Sequence, residues 1–150
     1  MRTAVEHSFC LAGAEWDLKF SERAIAVLSR YAQRRWFQRE SVGQLFASDL
    51  TGRTISVDAA TVLRPKRSAW ASVTFDSDAA LAQREMLFRE GMHCIGLWHT
   101  HPEANPSPSG TDMRLAADHA QAAKPVLNGL VFAIVGSQSF PDGWYVGVHD

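Results

Sequence analysis

Apolar positions along this chain recur with two periods, and turn and capping residues punctuate the changes between them. Residues 5–11 and 16–20 alternate as short strands, with a turn expected at Ala12-Gly13-Ala14. Ser21 is a good N-cap, and Ala24, Ile25, Leu28, Tyr31 and Ala32 form one apolar stripe, which predicts a helix to about Arg34. Residues 41–48 read as a strand that turns at Asp49-Leu50-Thr51-Gly52 into a second strand over 54–63, ended by Pro65. Another strand is expected at 71–75. Asp76 then caps a helix from about Ser77 to Glu90, with Leu81, Met86, Leu87 and Phe88 expected inward and Gly91 as its stop. The apolar run from His93 to His99 is a strand, Ser109 begins an Ala-rich helix to about Ala123, and 130–135 and 144–148 are the last strands. Helices and strands mix without regular βαβ alternation. The expected class is α+β, a mixed α/β sandwich.

Composition narrows the picture further. The 150 residues are 46% apolar and 21% charged, which predicts one packed globular domain over 1–150 with no internal repeat or linker. A net charge of −1 gives no electrostatic footprint for nucleic acid or an anionic membrane. No apolar run approaches the roughly 20 residues that span a bilayer, and Glu6 and His7 interrupt any apolar core of a signal peptide. Cys10 and Cys94 are too few for a disulfide framework, so a reducing cytoplasm is the expected setting.

The chemistry concentrates in residues 99–112, His-Thr-His-Pro-Glu-Ala-Asn-Pro-Ser-Pro-Ser-Gly-Thr-Asp. Alternate side chains of a strand share a face, so His99 and His101 point the same way if the extended geometry continues past Trp98. Pro102 diverts the chain out of the ladder. The Pro-rich loop then returns it to a helix whose first turn carries Asp112, where the positive helix end favours a carboxylate. Two imidazoles and one carboxylate leave a fourth tetrahedral position open, the pattern of a catalytic zinc site. Ser109 and Asp112 also form an S-x-x-D capping box, which needs no metal and is compatible with one. Hydrolysis at such a site requires a general base and an oxyanion donor. Glu40, at the mouth of the 41–48 strand, is the candidate base, and Ser109 the candidate donor; Glu103 reads as a residue of the exposed loop rim. Cys94 has the wrong strand parity to join His99, and His93 and His119 lie too far along their elements.

The segment His99-Thr100-His101-Pro102 through Ser109-Gly110-Thr111-Asp112, with Glu40-Ser41-Val42-Gly43 upstream, resembles the JAMM (MPN-plus) zinc metalloproteases, in particular their compact prokaryotic branch. The element order over about residues 20–135 resembles theirs as well. The resemblance implies a central mixed β-sheet flanked by helices and one catalytic Zn2+ held by His99, His101 and Asp112. Glu40 would be the general base and Ser109 the oxyanion donor. It implies hydrolysis of an isopeptide or peptide bond at the C-terminus of a ubiquitin-like modifier or its protein conjugate. Conjugation enzymes are the implied partners, including those of antiphage cyclic-oligonucleotide (CBASS) operons. An extended modifier tail would add a strand to a sheet edge, expected around 64–75 with Trp70 and Val73. Two alternatives stand beside this: a non-catalytic MPN-type binding scaffold, and a zinc hydrolase of a small amide or a sulfur-carrier precursor. Thr100 replaces the more usual Ser between the histidines.

Overall fold

The structure, a computed structural model, describes residues 8–10, 15–35, 37–67, 73–125 and 127–150. Its elements are β1 (Ser8–Cys10), β2 (Asp17–Phe20), α1 (Glu22–Tyr31), β3 (Val42–Ala47), β4 (Thr54–Val57), β5 (Ala59–Ala60) and β6 (Pro65–Arg67). They continue with β7 (Val73–Phe75), α2 (Ser77–Arg89), β8 (His93–Thr100), α3 (Gly110–Ala123), β9 (Leu130–Val135) and β10 (Trp144–His149). The capping residues act as the sequence predicts. Ser21 accepts the Ala24 N–H, Asp76 accepts those of Asp78 and Ala79, and Ser109 accepts that of Asp112. Gly91, at φ 83°, stops α2 in a backbone conformation that side-chain-bearing residues avoid.

A five-stranded sheet in the order β10-β9-β8-β3-β5 organises the fold. Of its described neighbouring pairs, β8 and β9 alone are parallel, and α3 makes the crossover between them. A second mixed sheet, β1-β2-β4, and a β6-β7 ribbon complete the architecture, so the class is α+β with a mixed central sheet flanked by helices. Both faces of that sheet are covered, which is why β3 and β9 are buried at every position and β9 reads as an unbroken apolar run. Along β9, Val131, Ala133 and Val135 pack toward Leu28 of α1 and toward β2, with Leu18 and Phe20. Leu130, Phe132 and Ile134 pack toward Ala116 and Ala120 of α3 and Ala80 of α2. The alanine-rich face of α3 allows that helix to lie close on the sheet.

Several expectations are corrected. The strand foreseen over 54–63 is split between two sheets, β4 running parallel to β2 and β5 antiparallel to β3. Asp58 sits at the break, its carboxylate accepting the Ser48 N–H and hydroxyl, each at 2.9 Å. Pro65 begins strand β6 rather than only ending one, a position where its missing N–H is tolerated. Helix α1 stops at Tyr31, short of Arg34. The inward face assigned to α2 is wrong for three of four residues: Leu81, Met86 and Phe88 are exposed, and of the four only Leu87 is even half-buried. Apart from Ala80, that helix meets the sheet through polar groups instead. Buried Gln44 donates to Ala80 O at 3.1 Å and to Gln83 Oε1 at 3.0 Å, and Arg84 donates to Gln44 Oε1 at 3.4 Å. The turn at 12–14, the outer parts of the 5–11 strand and Trp70 lie outside the described residues.

Candidate metal centre

The register of β3 against β8 brings the upstream and downstream halves of the motif together. Val42 lies opposite His99, so on the same face Glu40 comes level with His101. Two bonds secure this end: Thr100 N–H donates to Ser41 O at 3.0 Å, and the fully buried Thr100 hydroxyl accepts the Ser41 N–H at 2.9 Å. Thr100 therefore fixes the backbone next to Glu40, a role that its place between two histidines does not announce. Past the end of β8, His101 N–H still donates to Val135 O at 2.9 Å. The backbone stays in the ladder through the second histidine, and the two imidazoles share a face with ring centroids 4.7 Å apart.

Asp112 arrives from the first turn of α3. The capping box is complete, with Asp112 N–H donating to Ser109 Oγ at 3.1 Å and Ser109 N–H donating to Asp112 Oδ2 at 2.8 Å. The same carboxylate faces both rings: Oδ1 is 3.2 Å from His99 Nε2, and Oδ2 is 3.4 Å from His101 Nε2. One ligand atom from each of His99, His101 and Asp112 falls within 4.8 Å of the others.

The state of His99 decides what this cluster is suited to hold. Its Nδ1 lies 3.4 Å from Thr100 O, a carbonyl that only accepts, so the proton belongs on Nδ1 and the lone pair on Nε2. That Nε2 is buried and has no hydrogen-bond partner among the described residues, although a carboxylate oxygen stands 3.2 Å away. Two lone pairs facing each other in a buried site need a shared cation or proton. Burial works against ionisation of Asp112, but a proton shared with His99 Nε2 and the Ser109 N–H outweigh it and hold its pKa far below the usual carboxylate range, and that proton is what a cation would displace. A carboxylate and two imidazole Nε2 atoms make up the donor set that a borderline-soft divalent cation such as zinc takes, which would leave a fourth position open. The residues fit the metal that the motif implies.

These groups line a cavity of about 570 Å³. Glu40 and Ser109 line it too, with Arg114 and Asp118 from α3, and Phe75 and Phe132 as apolar wall. The structure thus gathers all five site residues named from the sequence around one space. His119 lies elsewhere, its ring 5.4 Å from Phe75, and His93 sits against Phe88 at the far end of α2. The parity argument for Cys94 does not hold. A bulge in β8, opposite the Leu45–Phe46 step, shifts the register, and the Cys94 thiol turns toward Gln44 at 3.7 Å, on the α2 side. Five residues from His99, it remains apart from the cluster, and burial pushes its pKa up, against the opposing effects of the Gly96 backbone and Arg84.

The prokaryotic homologs of the JAB domain match this chain over residues 21–145. The chain belongs to that family. The matched span of this JAB domain runs from the N-cap of α1 into β10 and contains every residue of the candidate centre. Among solved structures, the solution structure of protein DSY2949 from Desulfitobacterium hafniense aligns with a TM-score of 0.61. The alignment covers 87% of this chain and 86% of that one at 18% identity, a likeness of fold. No curated protein matches the sequence.

Proposed function

We propose that this JAB domain is a zinc-dependent peptidase or isopeptidase that hydrolyses an amide bond at the C-terminus of a ubiquitin-like modifier or of its protein conjugate. A single observation carries the reading: the buried, unbonded His99 Nε2 facing Asp112, beside His101, in a cavity that Glu40 and Ser109 share. His99, His101 and Asp112 would hold the ion. In such a site zinc supplies a Lewis acid that makes a carbonyl more electrophilic and water more acidic.

The remaining work falls to the chain's own side chains. Glu40, half-buried on the same face as His101, takes the proton of the attacking water and returns it to the leaving amine. The Ser109 oxygen is engaged by Asp112 N–H, which leaves its hydroxyl proton to donate to the carbonyl oxygen as negative charge develops there. An extended tail would reach the cavity along the β6–β7 ribbon, whose last residue, Phe75, is part of the cavity wall. The cytoplasm, with conjugation enzymes such as those of CBASS operons as partners, is the setting that goes with this chemistry. No helix among the described residues is long and apolar enough to cross a membrane.

The test combines metal content with turnover. The purified protein is expected to bind close to one zinc per chain and to cleave a fusion placed after a modifier's C-terminal tail. Glu40→Gln should keep the zinc and lose about 10²- to 10⁴-fold in turnover, the usual contribution of a general base. Unchanged cleavage by that variant removes Glu40 from the mechanism. The complete capping box favours a second reading, a non-catalytic scaffold, because Ser109 and Asp112 already satisfy each other. A chain that binds no zinc and stays inert when zinc is supplied decides for it.

A further inference from the structure

The loop from β8 to α3 carries a second carboxylate to the edge of the centre. Glu103 Oε1 lies 3.7 Å from His101 Nδ1, whereas the opposite ring nitrogen, Nε2, faces Asp112 Oδ2 at 3.4 Å. Each nitrogen of His101 thus looks at a different carboxylate. We propose that Glu103 is a positioning residue of the metal centre. It accepts the His101 Nδ1 proton, fixes the tautomer whose Nε2 lone pair faces the cluster, and so raises the centre's affinity for a divalent cation. This rests on the reading of His99, His101 and Asp112 as metal ligands.

The backbone shows that Glu103 is held rather than adrift on the rim. Its carbonyl accepts the Ser137 N–H at 2.8 Å, which ties the loop to the turn between β9 and β10. Gly136 makes the close approach possible: a Cβ there would come within 2.5 Å of Glu103 O and 2.6 Å of Pro106 Cδ. Pro106 is buried, and Pro102 restricts the chain just before Glu103. The carboxylate therefore swings from an anchored Cα. Closing from 3.7 Å to a hydrogen bond takes about 0.5 Å or more, on the scale of ordinary thermal displacement.

His99 provides an internal comparison. Its Nδ1 faces the Thr100 carbonyl and its Nε2 faces Asp112. With Glu103 in the equivalent role, both imidazoles are oriented alike, Nδ1 outward to an acceptor and Nε2 inward. Among the described residues, Glu103 is the acceptor that stands opposite His101 Nδ1. Outer partners of this kind make the ligand more basic and fix its ring, and their removal costs about 10- to 100-fold in metal affinity. Glu103 is 57% exposed, so solvent screening places the effect at the low end, about tenfold.

The experiment measures zinc affinity by competition with a chromophoric chelator for the wild type, Glu103→Ala and Glu103→Gln. It also records the thermal midpoint of each in chelator and the 15N imidazole signals of the metal-free proteins. Glu103→Ala should bind zinc about tenfold more weakly, and Glu103→Gln, which keeps an acceptor oxygen without the charge, should fall between. The midpoints in chelator should stay together, and His101 should lose its Nδ1–H preference in Glu103→Ala. Affinity of Glu103→Ala within twofold of wild type overturns the proposal, as does a loss of affinity matched by a lower midpoint in chelator. A wild type that binds no zinc overturns the centre itself and this role with it; equal, measurable binding by wild type and variant overturns only the role of Glu103.

Discussion

Replacing Asp112 by Asn should separate the fold from the metal. In the metal-free protein the carboxylate accepts the Ser109 N–H, and its other oxygen faces the buried, orphaned His99 Nε2 at 3.2 Å. An amide of the same shape keeps the cap through its oxygen and turns an N–H toward that orphaned nitrogen. The lost charge at the start of α3 costs about 0.3–1 kcal/mol, and the new hydrogen bond contributes about 0.5–1.5 kcal/mol. The two nearly cancel. Stability in chelator should therefore lie within about 1 kcal/mol of wild type, on either side. Zinc binding should collapse, because the amide is a neutral and poorer ligand than an ionised carboxylate. With free zinc at 100 times its Kd, the wild type gains about 2.7 kcal/mol. For a chain of this length that is about 5–10 °C in thermal midpoint, and the variant should gain almost none of it. Calorimetry or fluorescence melts of both proteins, in chelator and in zinc, make the comparison. A variant that melts with zinc as high as wild type would refute the ligand assignment. One that loses more than about 3 kcal/mol in chelator would refute the balance of cap and orphan.

Burial lowers the pKa of His119 below its ordinary 6.5, helped by Arg84 and opposed by Asp118. The neutral ring is thus the form that favours the fold. Its contribution is present above pH 6.5 and is lost as pH falls through the lowered value, so urea midpoints in chelator should drop more between pH 7.5 and 5.5 for wild type than for His119→Gln. Parallel drops would show that His119 is not the group concerned. On α2, Phe88→Ser should change stability by less than about 0.5 kcal/mol, since that ring is 62% exposed. Leu28→Ala on α1, fully buried, should cost about 2–5 kcal/mol in chemical denaturation. A large loss from Phe88→Ser would restore the inward face that the structure denies.

Local chemistry along the chain was enough to announce much of this protein. Ser21, Asp76, Ser109 and Gly91 end their helices through hydrogen bonds and backbone freedom that reach only three or four residues, and such interactions are written directly in sequence. The alternation of His99 and His101 and the step to Asp112 are also local, because one strand end and one helix turn carry all three candidate ligands. What sequence could not reach were relations between elements. The bulge that turns Cys94 toward α2 depends on how β8 meets β3. The polar seam from Gln44 to Gln83 and Arg84 replaced an apolar one because a buried amide demanded partners, which left Leu81, Met86 and Phe88 to solvent. The break at Asp58 sent one apolar stretch into two sheets.

Glu40 and Glu103 mark the boundary most clearly. Both are acidic residues beside motif elements, and nothing within a few positions of either tells where its carboxylate goes. The β3–β8 register and the Thr100 hydroxyl set Glu40 level with His101, and the Ser137 bond with the space left by Gly136 holds Glu103 against the far side of the same ring. The chain alone determined which groups could bind and cap, since those are properties of residue type and short spacing. Only the folded sheet decided which of them meet, because pairing across 59 positions, as between Ser41 and Thr100, is settled by packing rather than by neighbours.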